Sequence, residues 1–437
     1  MIPTIKYEKE FNDLLNEISE KLKDIVKMKN VIAYYWESSM YAEKLLKYCY
    51  GCTACVNACS RGAIRMIQAV DGSYVPQIDR NLCIGCGKCD RVCIHQHASC
   101  SHTPIAAEGC YAAYQLDEVE RKSSTSGGMF FTLAREILQQ GGFVCGCVWN
   151  DQMDAVHIVS NKLEDIERMR NSKYVQSDMG SCLAEVQQLL KIGKIVMFCG
   201  TPCQCVACGA VVGDSENLLK VSLICEGVPT PGVWRRYREA KAKEYGEKIR
   251  TVNFRSKDPV GWSLPYYVIT TESGKKKMEL SYKENAYVLG MLQGLTYRQS
   301  CYHCEFKGSN GNADLIIGDL WKVENRLLNM SANKGISALI INTKKGKKWI
   351  ERVTDAIYME EYPIDTVRVN NSPLECAAEE NASRIKFFAK LDAIPIEENL
   401  NQNIVLGNRK KNFVTKVLIR MRLYKPLWKV VHLLRDR

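Results

Sequence analysis

Two runs of cysteine carry the plainest chemistry in this sequence. Cys49, Cys52, Cys55 and Cys59 stand at spacings of x2, x2 and x3, and Cys83, Cys86, Cys89 and Cys93 repeat them. Three thiolates so close together can wrap one four-iron cube, while the fourth of each run reaches across to the other cube. The spacing predicts two 4Fe-4S clusters, one held by Cys49, Cys52, Cys55 and Cys93, the other by Cys83, Cys86, Cys89 and Cys59. Paired zinc sites fit less well, because zinc takes its ligands as two pairs and these runs are triplets plus one. Gly85 and Gly87 let the backbone close on the second cube.

Four more thiols stand where an α/β chain puts its ligands. The apolar run Ile195 to Phe198 empties into Cys199-Gly200-Thr201-Pro202-Cys203-Gln204, and Val221 to Ile224 empties into Cys225-Glu226-Gly227-Val228-Pro229. Such sheets bind ligands at the carboxyl ends of strands, which makes Gly200 and Thr201 cofactor candidates. Cys301 and Cys304 form a CxxC pair further on. With Cys203 and Cys225 they leave two readings open, a third metal centre or buried structural thiols. Lys122-Ser-Ser-Thr-Ser-Gly-Gly128 opens a predicted helix over 129–140, and its free backbone N–H groups suit a phosphate. Arg255, Lys257 and Trp262 are candidates for holding an anionic substrate or coenzyme tail, with Arg as a planar fork; the alternative for the two cations is a solvated strand end. No Ser-His-Asp arrangement or metal-hydrolase motif stands out, and the six histidines show no ligand spacing.

The elements that must position these groups fall into successive blocks. With 437 residues the chain can bury a large core in two or three domains. Residues 1–44 are read as a helical extension, with Phe11, Leu14, Leu15, Ile18, Leu22 and Ile25 at helical spacing, packed on its own protein or on a second copy as a homo-oligomer. Residues 45–98 hold the cysteine runs. From Cys110 onward strands alternate with helices, the pattern of an α/β domain, with parts at 105–228 and 229–375. The tail, 376–437, contains a basic amphipathic segment: Val414, Val417, Leu418, Met421, Tyr424, Leu427, Trp428 and Val431 oppose Lys416, Arg420 and Lys429. Such a segment suits peripheral contact with an anionic membrane, or an acidic partner.

Charge and composition narrow the function. From Asn408 onward ten Lys and Arg face one acid, so only +2 of the net +11 belongs to residues 1–407. Each oxidised cube with four thiolates adds roughly two negative charges, so a nucleic-acid binder is not expected. The 21 cysteines, a charged N-terminus without an apolar leader, and no apolar run near the roughly 20 residues of a membrane span lead to the expectation of a cytoplasmic chain.

Residues 49–93 resemble a bacterial two-cluster ferredoxin, except that Ser60 and Ile94 stand where proline usually follows the fourth cysteine. That departure bears on loop rigidity, not on ligation. Taken in order, KSSTSGG (122–128), SKYVQSD (172–178), FCGTPCQ (198–204), LICEGVPTPGVW (223–234), FRSKDPVGW (254–262), SCYHCEFKG (300–308) and IIGDLW (316–321) resemble the beta subunits of coenzyme F420-reducing hydrogenases and dehydrogenases. The resemblance runs from about Cys49 to Glu375. It implies an α+β dicluster ferredoxin domain followed by an α/β domain that binds a flavin, FAD or FMN. It also implies that Ser126, Gly127, Gly128, Lys173, Tyr174, Gln176 and Ser177 line the flavin, and that Cys203, Cys225, Cys301 and Cys304 hold a third 4Fe-4S cluster. Glu226 departs from the family, which often has His there, and Cys205 and Cys208 stand where it tends to have aliphatics; these two and Cys199 are read as small hydrophobes.

The expected function follows from the parts. A hydride carries two electrons and a cube takes one, so a flavin is needed between them. The expectation is an oxidoreductase that moves electrons between a hydride donor or acceptor, coenzyme F420 or similar, and a redox partner protein through the clusters. The competing expectations are a flavin-free ferredoxin-like carrier or membrane-docked adaptor, and a ferredoxin-driven reductase of a metabolite or glycan precursor.

Overall fold

The computed structural model describes residues 47–96, 107–308, 313–322 and 332–424. The helix expected at 5–28 and Leu427, Trp428 and Val431 of the tail lie outside them.

The cysteine-rich unit is small and tightly turned. An antiparallel pair, β1 (Ile64–Gln68) and β2 (Tyr74–Ile78), is flanked by two short helices, Ala54–Ala58 and Lys88–Arg91, each opening inside a cysteine run. The unit is held against the rest of the chain by close backbone contact. Gly232 N–H donates to Gly72 O at 2.9 Å, and a Cβ on either glycine would collide with the backbone of the other. Asn57 adds a polar lock: its Nδ2 donates to Gly180 O at 2.8 Å and its Oδ1 accepts from Ala184 N–H at 3.0 Å, inside the first turn of helix Cys182–Lys191.

The rest of the chain builds an eight-stranded sheet. Its strands are β3 (Gly109–Gln115), β4 (Phe143–Trp149), β5 (Ala155–Ser160), β6 (Val196–Gly200), β7 (Leu218–Leu223), β11 (Leu315–Asp319), β12 (Ser337–Ile341) and β13 (Ile357–Glu361), in the order β13-β3-β12-β11-β7-β6-β4-β5. The centre, β11-β7-β6-β4, is parallel, and both flanks are antiparallel. Alternation explains why β6 reads as one unbroken apolar run. Met197 and Cys199 join the core on one face, under helices Met129–Gln139 and Lys344–Glu351, while Val196 and Phe198 face helices Cys182–Lys191 and Pro202–Val212. Both faces are covered, so truncating Phe198 to Ala costs about 3–5 kcal/mol.

A second, three-stranded antiparallel sheet, β8 (Ile249–Ser256), β9 (Tyr266–Thr271) and β10 (Lys276–Leu280), carries an aromatic core. Trp234, Tyr237, Phe254, Tyr267 and Tyr287 pack there with helices Pro231–Tyr245 and Ala286–Leu292. The basic segment forms helix Arg409–Arg420, seated through Ile419 and Tyr424 on Val260, Leu264, Tyr266 and Leu280. Among the described residues no helix is long and apolar enough to cross a membrane.

Candidate iron-sulfur and cofactor site

The four thiols expected around the first cube come together. Burial, and after it Cys49 and Cys93, raises the Cys52 thiol to about 12; Cys55 is raised by burial and then by Cys52, Cys49 and Cys93. Thiolates act on one another in this way only when they are neighbours. Cys93, the fourth residue of the second run, has crossed to the first three, as the spacing requires. Gly51 makes room for this loop: at φ 60° it takes a conformation other residues resist, and a Cβ there would collide with the Gln176 amide and the Arg298 guanidinium. Gly51 N–H donates to Cys49 Sγ at 3.3 Å. The second set is placed differently. Cys83 and Cys86 are exposed, beside exposed Leu82 and Ile84. Burial and Asp90 raise the Cys89 thiol, and Cys83 adds to it.

Cys203, Cys225, Cys301 and Cys304 also converge, although they come from three separate segments. Burial, with Cys304, Cys225 and Cys301, pushes the Cys203 thiol well up; burial, with Cys225 and Cys304, raises Cys301 to about 12. Local structure fixes each. Thr201 N–H donates to Gln204 Oε1 at 3.0 Å in a capping box, which sets Cys203 in the first turn of helix Pro202–Val212. Cys225 follows β7, and its carbonyl accepts from Lys307 Nζ. Among the described residues no three His, Cys, Asp or Glu side chains are grouped as around a single metal ion. A four-iron cube holds its thiolates further apart than one ion does, so the lack of such a grouping does not count against a cube at either quartet.

Two side chains join the quartets. Tyr50, between Cys49 and Cys52 in sequence, donates its hydroxyl to His303 O at 3.3 Å and accepts from Glu305 N–H at 3.2 Å. Burial raises that hydroxyl, followed by Cys304. Arg298 is buried at 1 % exposure; its Nη2 donates to Cys49 O at 2.6 Å and Tyr74 O at 3.2 Å, and its Nε to Ser300 Oγ at 3.1 Å. Its charge counteracts the burial that raises both Cys49 and Cys301.

Above the second quartet, at the carboxyl ends of the parallel strands, lies a cavity of about 620 Å³. Its wall includes Ser126, Gly128, Lys173, Tyr174, Gln176, Ser177, Gly200, Thr201, Cys203, Cys225 and Arg255, so most of the residues expected around a cofactor meet there. Six buried polar atoms of this wall have no hydrogen-bond partner among the described residues: His157 Nδ1, Arg170 Nε, Gln176 Oε1, Arg255 Nε and Nη2, and Asn371 Nδ2. A wall with both donors and acceptors left open fits a heteroaromatic group such as a flavin, whose ring edge carries both.

The remaining candidates have other work. Gly127 faces the sheet, its N–H donating to Ser337 Oγ at 3.0 Å. Lys173 reaches the wall, yet its Nζ donates to the carbonyls of Arg168, Met169, Arg170 and Asn171 at 2.7–3.2 Å, closing the end of helix Leu163–Met169. Lys257 lies off the wall. Its Nζ donates to the carbonyls of Arg121, Ser126 and Lys334 at 2.6–2.7 Å, which occupies all three hydrogens and ties down the 122–128 loop. Trp262 also stands behind the wall, donating from Nε1 to Asp319 Oδ1 at 2.9 Å. Cys205 and Cys208 are buried in the apolar core, as expected of small hydrophobes, but Cys199 and Cys147 border the cavity. His157 was not legible as a site residue. Its ring stacks on Phe198, Nε2 bonds to Cys199 O at 3.2 Å, and burial lowers its pKa to about 4. With Nε2 facing a carbonyl, the neutral ring presents the lone pair of Nδ1 to the cavity. Only its place in an alternating strand hinted at this.

The two cysteine runs mark an iron-sulfur protein of the electron-transferring, oxidoreductase type, and the comparisons agree. Residues 48–97 match the 4Fe-4S dicluster domain, and residues 193–367 match the family described as the C terminus of the coenzyme F420 hydrogenase/dehydrogenase beta subunit. The two matches lie in that order along the chain, the dicluster stretch first. A solved structure, a xenon derivative of the F420-reducing NiFe hydrogenase complex from Methanosarcina barkeri, is similar at 19 % identity over 69 % of this chain and 91 % of that one, with a TM-score of 0.43. No curated protein matches the chain.

Proposed function

We propose that this chain is an iron-sulfur flavoprotein that exchanges electrons between a hydride-carrying small molecule and a protein partner. The observation that carries the reading is shared residues: Cys203 and Cys225 belong both to the buried thiol quartet and to the cavity wall. A bound flavin, FAD or FMN, would supply the conversion between a hydride pair and single electrons. Gln176, His157, Ser126 and Gly128 would hold it, and Cys203, Cys225, Cys301 and Cys304 would hold a third 4Fe-4S cube beside it. Tyr50 and Arg298 tie the segment of Cys301 and Cys304 to the loop of Cys49 and Cys52. The exposed Cys83 and Cys86, with Leu82 and Ile84, form the face for the redox partner. Coenzyme F420 is one candidate for the hydride carrier, on the strength of the family match.

The test is anaerobic. Protein loaded with iron, sulfide and FAD should show bleaching of its iron-sulfur absorbance on addition of a hydride donor from a panel including NADPH and reduced F420, and flavin-free protein should not. Equal bleaching without flavin, or no flavin uptake, contradicts the reading.

The helix Arg409–Arg420 leaves Phe413 and Val414 exposed beside Lys410, Lys411 and Lys416. We propose that it rests on an anionic membrane surface. Co-sedimentation with phosphatidylglycerol vesicles that weakens with salt is expected; failure to sediment at low salt contradicts it.

A further inference from the structure

Arg255 is 4 % exposed and reaches the cavity wall from the end of β8. Its Nη1 is paired with Asp319, while Nε and Nη2 have no hydrogen-bond partner among the described residues. Those two N–H groups point the same way from the planar guanidinium. Together they make the side-on fork that accepts both oxygens of a carboxylate or a phosphate. A buried donor left without an acceptor is costly, and here two of them sit on one rigid group.

The surroundings hold the fork in place. Asp319 accepts from Trp262 Nε1, Trp262 stacks on Trp321 with ring centroids 5.0 Å apart, and the guanidinium lies 5.1 Å from the Trp321 ring and 5.7 Å from the Tyr282 ring. Asp319 offsets the charge of Arg255, so the fork selects by geometry, favouring two coplanar acceptor oxygens over negative charge in general. Tyr174, also on the wall, faces the same guanidinium.

We infer that Arg255 anchors a two-oxygen anion, carboxylate or phosphate, carried by a ligand of the cavity. The inference rests on reading the cavity as a ligand site. It has two sources to separate, the phosphate of a flavin nucleotide and an acidic group of the hydride-carrying substrate.

The experiment titrates the iron-loaded full-length chain with inorganic phosphate, following tryptophan emission, since Trp262 and Trp321 adjoin the fork. Saturable binding is expected, weakened at least tenfold in Arg255→Lys, which keeps a cation for Asp319 but lacks the fork. Riboflavin and FMN are then titrated into both proteins. Loss of FMN affinity in Arg255→Lys with riboflavin unchanged assigns the anion to the cofactor. Unchanged affinity for both, with a raised KM and retained kcat for the hydride donor, assigns it to the substrate. If Arg255→Lys fails to fold, protection of Arg255 from phenylglyoxal by phosphate in the unaltered protein, read by mass spectrometry, takes its place. Equal phosphate binding in both proteins, or no protection, overturns the inference while leaving flavin uptake free to occur. Phosphate binding through Arg255 without flavin uptake would instead overturn the flavin reading alone.

Discussion

Cys83 and Cys86 face solvent on a short loop, whereas Cys203, Cys225, Cys301 and Cys304 are drawn from three segments and closed under the large sheet's carboxyl edge. Both sets suit the same inorganic cube, yet the first is specified by neighbours in sequence and the second by the fold. A contiguous loop can sit at the surface and meet a partner, because its ligands need little support. A dispersed quartet holds only if the surrounding structure fixes every arm, and the same structure then supplies a walled cavity next to it. Burial also changes the electrostatics: it raises the Cys203, Cys301 and Cys304 thiols, and the Arg298 charge opposes that rise at Cys301, while Cys83 and Cys86 are exposed.

The sharpest way to break this comparison is to remove one ligand from each set. Cys304→Ser should lose about four irons and cut electron transfer out of the cavity by more than about 100-fold, while Cys86→Ser should lose similar iron but leave reduction within the cavity intact. Iron assay and stopped-flow absorbance measure both; equal effects on cavity reduction would erase the inner and outer roles. Next in size is Arg298→Met. It strands the carbonyls of Cys49 and Tyr74, and should destabilise the chain by about 3 kcal/mol in urea unfolding, against less than about 0.5 kcal/mol for exposed Arg91→Met.

Acidification gives a smaller contrast. His157 is held neutral in the fold by burial, with its pKa lowered from 6.5 to about 4. The unfolded chain therefore takes up a proton first, and stability present above pH 6.5 is lost as pH falls towards 4. Relative to His157→Gln, the unaltered protein should lose about 1–3 kcal/mol across that window, seen in pH-dependent melting; parallel profiles would contradict it. Smallest is Tyr50→Phe, which removes the hydrogen bonds to His303 O and Glu305 N–H and should cost about 1 kcal/mol.

The same contrast marks what the sequence makes legible. Both ferredoxin runs, the central strands and the turn at Gly200 and Thr201 were readable because spacing and apolar runs report local geometry. β7 was placed late, at Val221, because Lys220 interrupts the run; the fold buries that lysine and lets its ammonium reach Asp214 at 3.6 Å. Lys257 and Lys173 could not be told from ligand-binding cations, since nothing in a lysine's neighbours says whether its ammonium will face a cavity or a set of carbonyls. Arg298 and His157 act through partners about 250 and 40 residues away in sequence, Cys49 and Cys199, a distance no spacing rule spans.

Iron and flavin content per chain, measured on protein purified without oxygen, tests the central claim most directly. About twelve irons with one flavin is the expected result, three cubes beside a flavin. About eight irons and no flavin, unchanged after reconstitution with excess FAD and FMN, would contradict it and leave a two-cluster carrier.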